Sequence, residues 1–485
     1  MKKVICSLLT AIALLVPTTT KADNVSVDQA KDVAAHFLQH NSTLARITAD
    51  QLTLTHQWNN EALGVPSMYL LSAPAEGWVI VAATTVMDPI VGYADDNVLD
   101  PDNMAPQLEW WLEEYNKLVV AFQTVDAEHS LENSNEWKTL EGHGLVGTKA
   151  SNYLMDSEWD QGGIRGTDYN IFCPEVNDTV CPVGCVATAL AQICYYYGYP
   201  KSPKGSINYS WRTGGRRLAI RFDTVAPLDY SLMPNKIRTS STRAQREEVS
   251  RLGYYLGLGV HMEYDADGSG ASSEDVASAM NRYFKYTTGT YIRRRQIDDT
   301  AFLNGLKRDL ASNRPVYMSG KSSTGSGRDA AGHAWVCDGL NSNGRFHMNW
   351  GWGGGGNGFF RLAENDMAIS QYGYNFNDYY AGGYQTIIVG MVPPQDSTDR
   401  VVGVLEVDEV ATLGHPYPNP ATWSVVIPYS TREAADLQVY AVNGQLVETR
   451  RIEAGDGEVT LRVDAMPAGI YVYRMGAAYG KFVVR

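Results

Sequence analysis

The stretch CPVGCVATALAQICYYYGYP, residues 181–200, sets a cysteine at the head of an apolar helical pattern. Val186, Ala189, Leu190, Ile193 and Tyr197 recur at helical spacing, and Gly184-Cys185 stands just before them. Cys185 is therefore expected at a helix N-terminus, where the helix dipole and unpaired N–H groups favour a thiolate. The small residues Ala187, Thr188, Ala189 and Ala191 let such a helix pack deep inside a domain. A buried helix presenting a cysteine at its first turn is what a cysteine hydrolase needs. Cys173, Cys181, Cys185 and Cys194 could alternatively bind zinc, but their spacing contains no CxxC pair, so no metal is expected. A Cys173–Cys181 disulfide fits the sequence and would leave Cys185 free.

A thiolate hydrolase also needs an imidazole. Of nine histidines, residues 150–392 hold His261, His333 and His347. His261 lies in HMEYDADGSG, an acidic loop-like segment. His333 lies in GHAWVCDGL, between a glycine-rich stretch (325–332) and an apolar β-type run. RPVYMS (314–319), GHAWV and RFHMNW read as three antiparallel strands. A hairpin then brings Asn349 back to His333, and its side-chain carbonyl is expected to orient the ring. Trp350 and Trp352 would shield that bond. Gln161, in SEWDQGG, is a candidate oxyanion donor together with the Cys185 N–H. Gly332, Gly351 and Gly353 are expected to bind substrate, since extended peptides need close backbone approach.

These groups must be positioned by a chain of 485 residues, enough for about three domains at roughly 150 residues each. Hydrophobic residues are 44% and charged residues 19%, a globular profile. A net charge of −14 argues against nucleic acid as a partner. Lys2, Lys3 and the apolar run Val4–Val16 read as a signal peptide over 1–22, ending at Thr20-Lys21-Ala22. No later segment reads as a membrane span. Losing Cys6 with the leader would leave five cysteines, so at least one thiol is unpaired.

Residues 23–149 show helical spacing at 27–39 and 107–122, strand patterns at 68–72 and 78–83, and an exposed polar linker over 125–150. Residues 150–392 form the glycine- and tyrosine-rich core. A Pro-led acidic linker follows at 393–412. Residues 413–485 alternate between short strands and Asn-Gly or Gly-Asp-Gly turns, the pattern of an antiparallel β-sandwich.

Trp159-Asp160-Gln161, Tyr169-Asn170, Cys173-Pro174, Gly184-Cys185-Val186-Ala187-Thr188-Ala189, Gly332-His333-Ala334 and Asn349-Trp350-Gly351-Trp352-Gly353-Gly354 together resemble the streptopain family of papain-like cysteine peptidases. The resemblance implies an α+β, two-lobed papain-like core. Cys185 would be its nucleophile, His333 its base and acid, and Gln161 its oxyanion donor, with Asn349, Trp350 and Trp352 supporting the histidine. Residues 162–168 separate Gln161 from Tyr169-Asn170 by more than the family's usual spacing. Residues 23–149 resemble the family's inhibitory propeptide, to be cleaved near 145–150, with Lys149 a candidate. YPNPA (417–421), VYAVNGQLV (439–447), MPAGIYVYR (466–474) and KFVVR (481–485) resemble a C-terminal sorting domain of the type IX (Por) route.

The implied protein is a secreted, zymogenic endopeptidase of a Gram-negative bacterium, released or attached to the outer-membrane surface. Its partners would be protein and peptide substrates, its own propeptide and the type IX machinery, with no cofactor. A thiol amidase or acyltransferase on the same Cys-His pair and a non-catalytic surface adhesin are the alternatives.

Overall fold

Ser26 and Gln29 form a reciprocal capping box that starts α1 (Val27–Asn41), and Ala30, Val33, Ala34 and Phe37 form its buried face. The structure, a computed structural model, describes residues 24–116, 136–141, 153–162, 168–321, 332–362, 385–394 and 411–485, less a few single positions and short turns. The leader, Lys149 and the glycine-rich stretch 325–331 lie outside the described residues. Helix α1 packs on an antiparallel meander of β1 (Thr53–Asn60), β2 (Val65–Ala73), β3 (Gly77–Ala82) and β4 (Ile90–Ala94). The sequence pattern indicates only β2 and β3. Strand β1 is mostly polar and half-exposed, and β4 is short, so neither shows a clear alternation. Of the expected helix at 107–122, Leu108, Trp111, Leu112 and Tyr115 are described and buried.

The core region begins with a small hairpin, β5 (Glu175–Val176) and β6 (Thr179–Val180), leading into α2 (Cys185–Tyr197). A second hairpin, β7 (Ser206–Trp211) with β8 (Arg216–Arg221), and helices α3 (Arg243–Gly259) and α4 (Val276–Phe284) complete the helical lobe. Strand β9 (Thr290–Arg293), helix α5 (Asp299–Ala311) and strands β10 (Val316–Lys321), β11 (Gly332–Leu340), β12 (Phe346–Asn349), β13 (Gly358–Phe360) and β14 (Thr386–Val389) build the other lobe. The expected three antiparallel strands are β10, β11 and β12.

Ten strands form one sheet in the order β1-β2-β3-β4-β13-β12-β11-β10-β14-β9. The N-terminal meander is thus hydrogen-bonded edge to edge with the strands that carry His333. At the seam Phe359 pairs with Tyr93 and Phe360 with Gly92. A Cβ on Gly92 would sit 2.7 Å from the Phe360 ring, so the close approach requires glycine.

Residues 136–141, the described part of the polar stretch read as an exposed linker, are anchored instead. Residues 136–141 are helical, Trp137 and Leu140 are buried, and the Trp137 indole donates to the Met87 carbonyl at 2.8 Å. Two apolar anchors suffice to dock a single turn, too few for a periodic signal.

The chain divides into two compact units, 1–402 and 403–485. The second holds a three-stranded sheet, β15 (Ala411–Leu413), β16 (Ser424–Thr431) and β19 (Gly455–Arg462), and a four-stranded sheet, β17 (Ala435–Ala441), β18 (Leu446–Ile452), β20 (Gly469–Met475) and β21 (Ala478–Val484). Val425, Ile427, Leu437, Val439, Tyr473 and Phe482 share one core, as a sandwich requires. Strand β15 begins inside the segment read as the second linker.

Candidate active site

Cys185 is the first residue of α2. Gly184 before it has φ +89°, and a Cβ there would lie 2.8 Å from the Met262 methyl and the Ser269 carbonyl oxygen. Only glycine fits this helix entry. All five described cysteines are free thiols; Cys185 is half-buried and the other four are buried. Cys173 and Cys181, the possible disulfide, therefore flank the β5–β6 hairpin unpaired. Backbone N–H groups of Ala334, Val186 and Cys185 itself point at the Cys185 sulfur. Burial nevertheless pushes the thiol above its ordinary range and outweighs them. The thiolate expected at the helix start is thus not favoured in this form.

His333 is buried on β11, and its Nε2 lies 2.8 Å from the carbonyl oxygen of Trp350. The Trp335 ring is parallel to it at 6.3 Å and the Trp352 ring meets it edge-on at 6.2 Å. Burial pushes the imidazole down to about 4, against the opposing pull of the Trp350 carbonyl. No hydrogen bond joins His333 to Cys185. The strand alternation explains why. Asn349 pairs with Val336, so both project from the sheet face opposite to His333 and Trp335. Helix α2 covers the Asn349 face, because its Gln192 bonds the Asn349 side chain. The imidazole and the thiol thus leave opposite sides of β11.

The same alternation sets Asn349 apart from His333 in this form. Its side chain is bonded elsewhere. It donates to the Ser157 carbonyl at 2.6 Å and accepts from Gln192 at 3.0 Å and from the Gly351 N–H at 3.2 Å. The orienting acceptor is the backbone carbonyl of the next residue, Trp350. The Trp350 ring lies against Trp335 and Phe360 and donates to the Gly356 carbonyl, so shielding of the histidine falls to Trp335 and Trp352. Trp335 lies two residues after His333 on one strand, a signal that alternation alone carried. Gly351 packs on Thr188 of α2, and the Gly353 N–H donates to the Trp159 carbonyl at 3.0 Å. Both glycines thus serve the loop's own scaffold, while Gly332 is exposed at the start of β11.

Gln161 is tied to the cysteine segment by its backbone, since Val183 N–H donates to the Gln161 carbonyl at 2.8 Å. Its side chain makes no hydrogen bond among the described residues. Residues 163–167 of the longer spacing lie outside them. The other two core histidines are committed elsewhere. His347 Nδ1 is 2.6 Å from Asp338 and stacked on Tyr153, and His261 packs on Tyr209.

Residues 159–360 match the model of the peptidase C10 family, and every motif residue above lies inside that span. The segment is a peptidase C10 domain. Residues 22–119 match the Spi protease inhibitor model, and residues 415–485 match the secretion system C-terminal sorting domain. The chain is 29% identical over 341 residues to the thiol protease/hemagglutinin PrtT of Porphyromonas gingivalis, which covers 67% of this chain but only 37% of that protein. It is 28% identical over 394 residues to streptopain of Streptococcus pyogenes, covering 75% of this chain and 91% of streptopain. The fold is that of prointerpain A of Prevotella intermedia, with TM-score 0.54 and 22% identity over 71% of this chain and 99% of the other. The peptidase C10 domain thus stands between an inhibitor-like propeptide and a sorting tail, the composition of a secreted, zymogenic cysteine protease. The tail directs the protein to the cell surface or beyond. Among the described residues no helix is long and apolar enough to cross a membrane.

The propeptide grips the loop that holds His333. Gly356 N–H donates to the Val98 carbonyl, and Asn97 donates to the Asn357 carbonyl at 2.8 Å. Arg361, just past β13, pairs with Asp88 at 2.6 Å and Glu136 at 3.2 Å. The wholly buried Arg345 guanidinium lies over Phe37 and 3.5 Å from Glu136.

Proposed function

We propose that the chain is the latent precursor of an endopeptidase whose nucleophile is Cys185 and whose base is His333. One observation carries the reading. The thiol and the imidazole lie on opposite sides of β11 while the propeptide shares their sheet and binds their loop. Release of the propeptide would free residues 356–361 behind the turn and let the imidazole leave the Trp350 carbonyl for the Cys185 side. A thiolate–imidazolium pair then forms, and the thiolate attacks the scissile carbonyl. The Gln161 amide and the Cys185 N–H donate to the oxyanion. His333 protonates the leaving amine and next takes a proton from the water that hydrolyses the acyl-enzyme. The substrates are proteins and peptides, the sorting tail is read by the type IX machinery, and the mature enzyme is released or held at the outer-membrane surface.

The test compares precursors under reducing conditions. The wild-type chain should shorten on incubation and hydrolyse casein, while the Cys185→Ala chain stays full length and inactive. Casein hydrolysis that persists in Cys185→Ala would remove Cys185 from the role. Deleting 415–485 should leave the precursor inside the cell; unchanged export would remove the tail from its role.

A further inference from the structure

The C10 reading leaves unexplained a wholly buried amide on the cysteine helix. Gln192 lies seven residues, two turns, after Cys185 and is fully buried. Its Oε1 accepts the Trp159 N–H at 3.2 Å, and its Nε2 donates to Asn349 Oδ1 at 3.0 Å. Asn349 Oδ1 also accepts the Gly351 N–H, and Asn349 Nδ2 donates to the Ser157 carbonyl. Backbone groups of known polarity thus set both amide orientations, and each buried polar atom of the pair has a partner.

The two amides join three segments that the peptidase must hold in register. One is 157–161, which ends at Gln161. The second is α2, which starts at Cys185. The third is the 349–353 turn, whose Trp350 carbonyl bonds His333 at 2.8 Å. Gly351, with φ +65°, sits on Thr188 of the same helix, and the Gly353 N–H returns to the Trp159 carbonyl. The Trp350 carbonyl is therefore aimed from both flanking residues.

We infer that Gln192 is a positioning residue for the hydrolysis: through Asn349 it holds the 349–353 turn against α2, on the face of β11 to which His333 must turn, and through Trp159 it holds the segment that ends at Gln161. The inference rests on the Cys185–His333 reading. A misplacement of about 1 Å in such a support can lower turnover on the order of 100-fold. The effect should fall on kcat, because Gln192 has no surface with which to touch substrate.

The experiment uses the full-length precursor, activated and then counted by covalent titration of its reactive thiol. Gln192→Met removes both hydrogen bonds at similar volume. Gln192→Glu keeps an acceptor for Trp159 and removes the donor to Asn349. Both should lower kcat per titrated site at least tenfold, leave KM within about threefold and shift the acidic limb of the pH–rate profile. In the double variant with Asn349→Ala, the losses should not multiply, because the two amides act as one unit. Wild-type kcat in the folded Gln192→Glu chain, or losses that multiply, would overturn the inference. Cys185→Ala in parallel separates the two failures: if it retains activity, the underlying reading falls; if it is dead while Gln192→Glu is normal, only the role of Gln192 falls.

Discussion

His333 Nε2 and the carbonyl oxygen of Trp350 lie 2.8 Å apart, and this bond holds the imidazole on the face of β11 turned away from Cys185. The acceptor is a backbone atom, so no side-chain substitution deletes it. Control of the histidine therefore passes to whatever holds the turn: Asn349 and Gln192 on one side, and the propeptide residues Asn97 and Val98 on the other.

The imidazole should make the latent form acid-sensitive. Its folded value, about 4, lies below the ordinary 6.5, so the native state binds fewer protons than the unfolded state. This contribution is complete above pH 6.5 and is lost as pH falls through 4, about 3 kcal/mol in all. Urea unfolding of the Cys185→Ala precursor should show it, and the added substitution His333→Gln should remove that part of the pH dependence. Identical pH dependence in the two chains would contradict the buried neutral imidazole.

The nucleophile should be slow until the propeptide leaves. The Cys185 thiol is pushed up by burial and has no imidazolium partner here. Alkylation of Cys185 by iodoacetamide at pH 7, followed by mass mapping, should be at least about tenfold slower in the precursor than in the activated enzyme. Equal rates would mean that latency does not act on the thiol.

The buried arginine at the propeptide boundary gives a third expectation. Arg345 is wholly buried, and Glu136, on the anchored turn, is its ion-pair partner at 3.5 Å. Glu136→Gln should lower precursor stability by about 3 kcal/mol, because it strands a buried charge. Processing should quicken. Arg361 is 35% exposed, and Arg361→Gln should cost under about 1 kcal/mol. Denaturant midpoints of the two variants, made in the Cys185→Ala chain, check the order; a larger effect at Arg361 would contradict it.

The shared sheet can be opened from the propeptide side. Gly92→Val would drive a side chain into the Phe360 ring, which Trp78, Trp111 and Trp350 hold in place. We expect a loss of about 1–3 kcal/mol in the precursor and faster conversion. The activated enzyme lacks Gly92 and should keep its kcat. An unchanged precursor would show that the seam does not limit release.

Cys185 and His333 stand out in the sequence as candidates because a nucleophile and a base leave local marks. A helical period begins at one, and a strand run behind a glycine-rich stretch begins at the other. The expected bond between Asn349 and His333 is absent from this form, because a hairpin brings residues together without saying which face each side chain takes. Parity across β11 and β12 decides that, and it depends on the register Val336↔Asn349. The anchored turn at 136–141 escaped notice because two buried side chains in a polar stretch carry no period.

The sequence by itself determined the three regions, the candidate pair Cys185 and His333, and the helix that starts at Cys185, since composition, periodicity and residue type are properties of the chain alone. Only the tertiary structure decided that the propeptide and the peptidase share one sheet, that a Trp350 carbonyl orients the histidine, and that thiol and imidazole lie apart. Those relations rest on strand register, on edge-to-edge backbone pairing and on burial of charge, and each couples residues far apart in the chain.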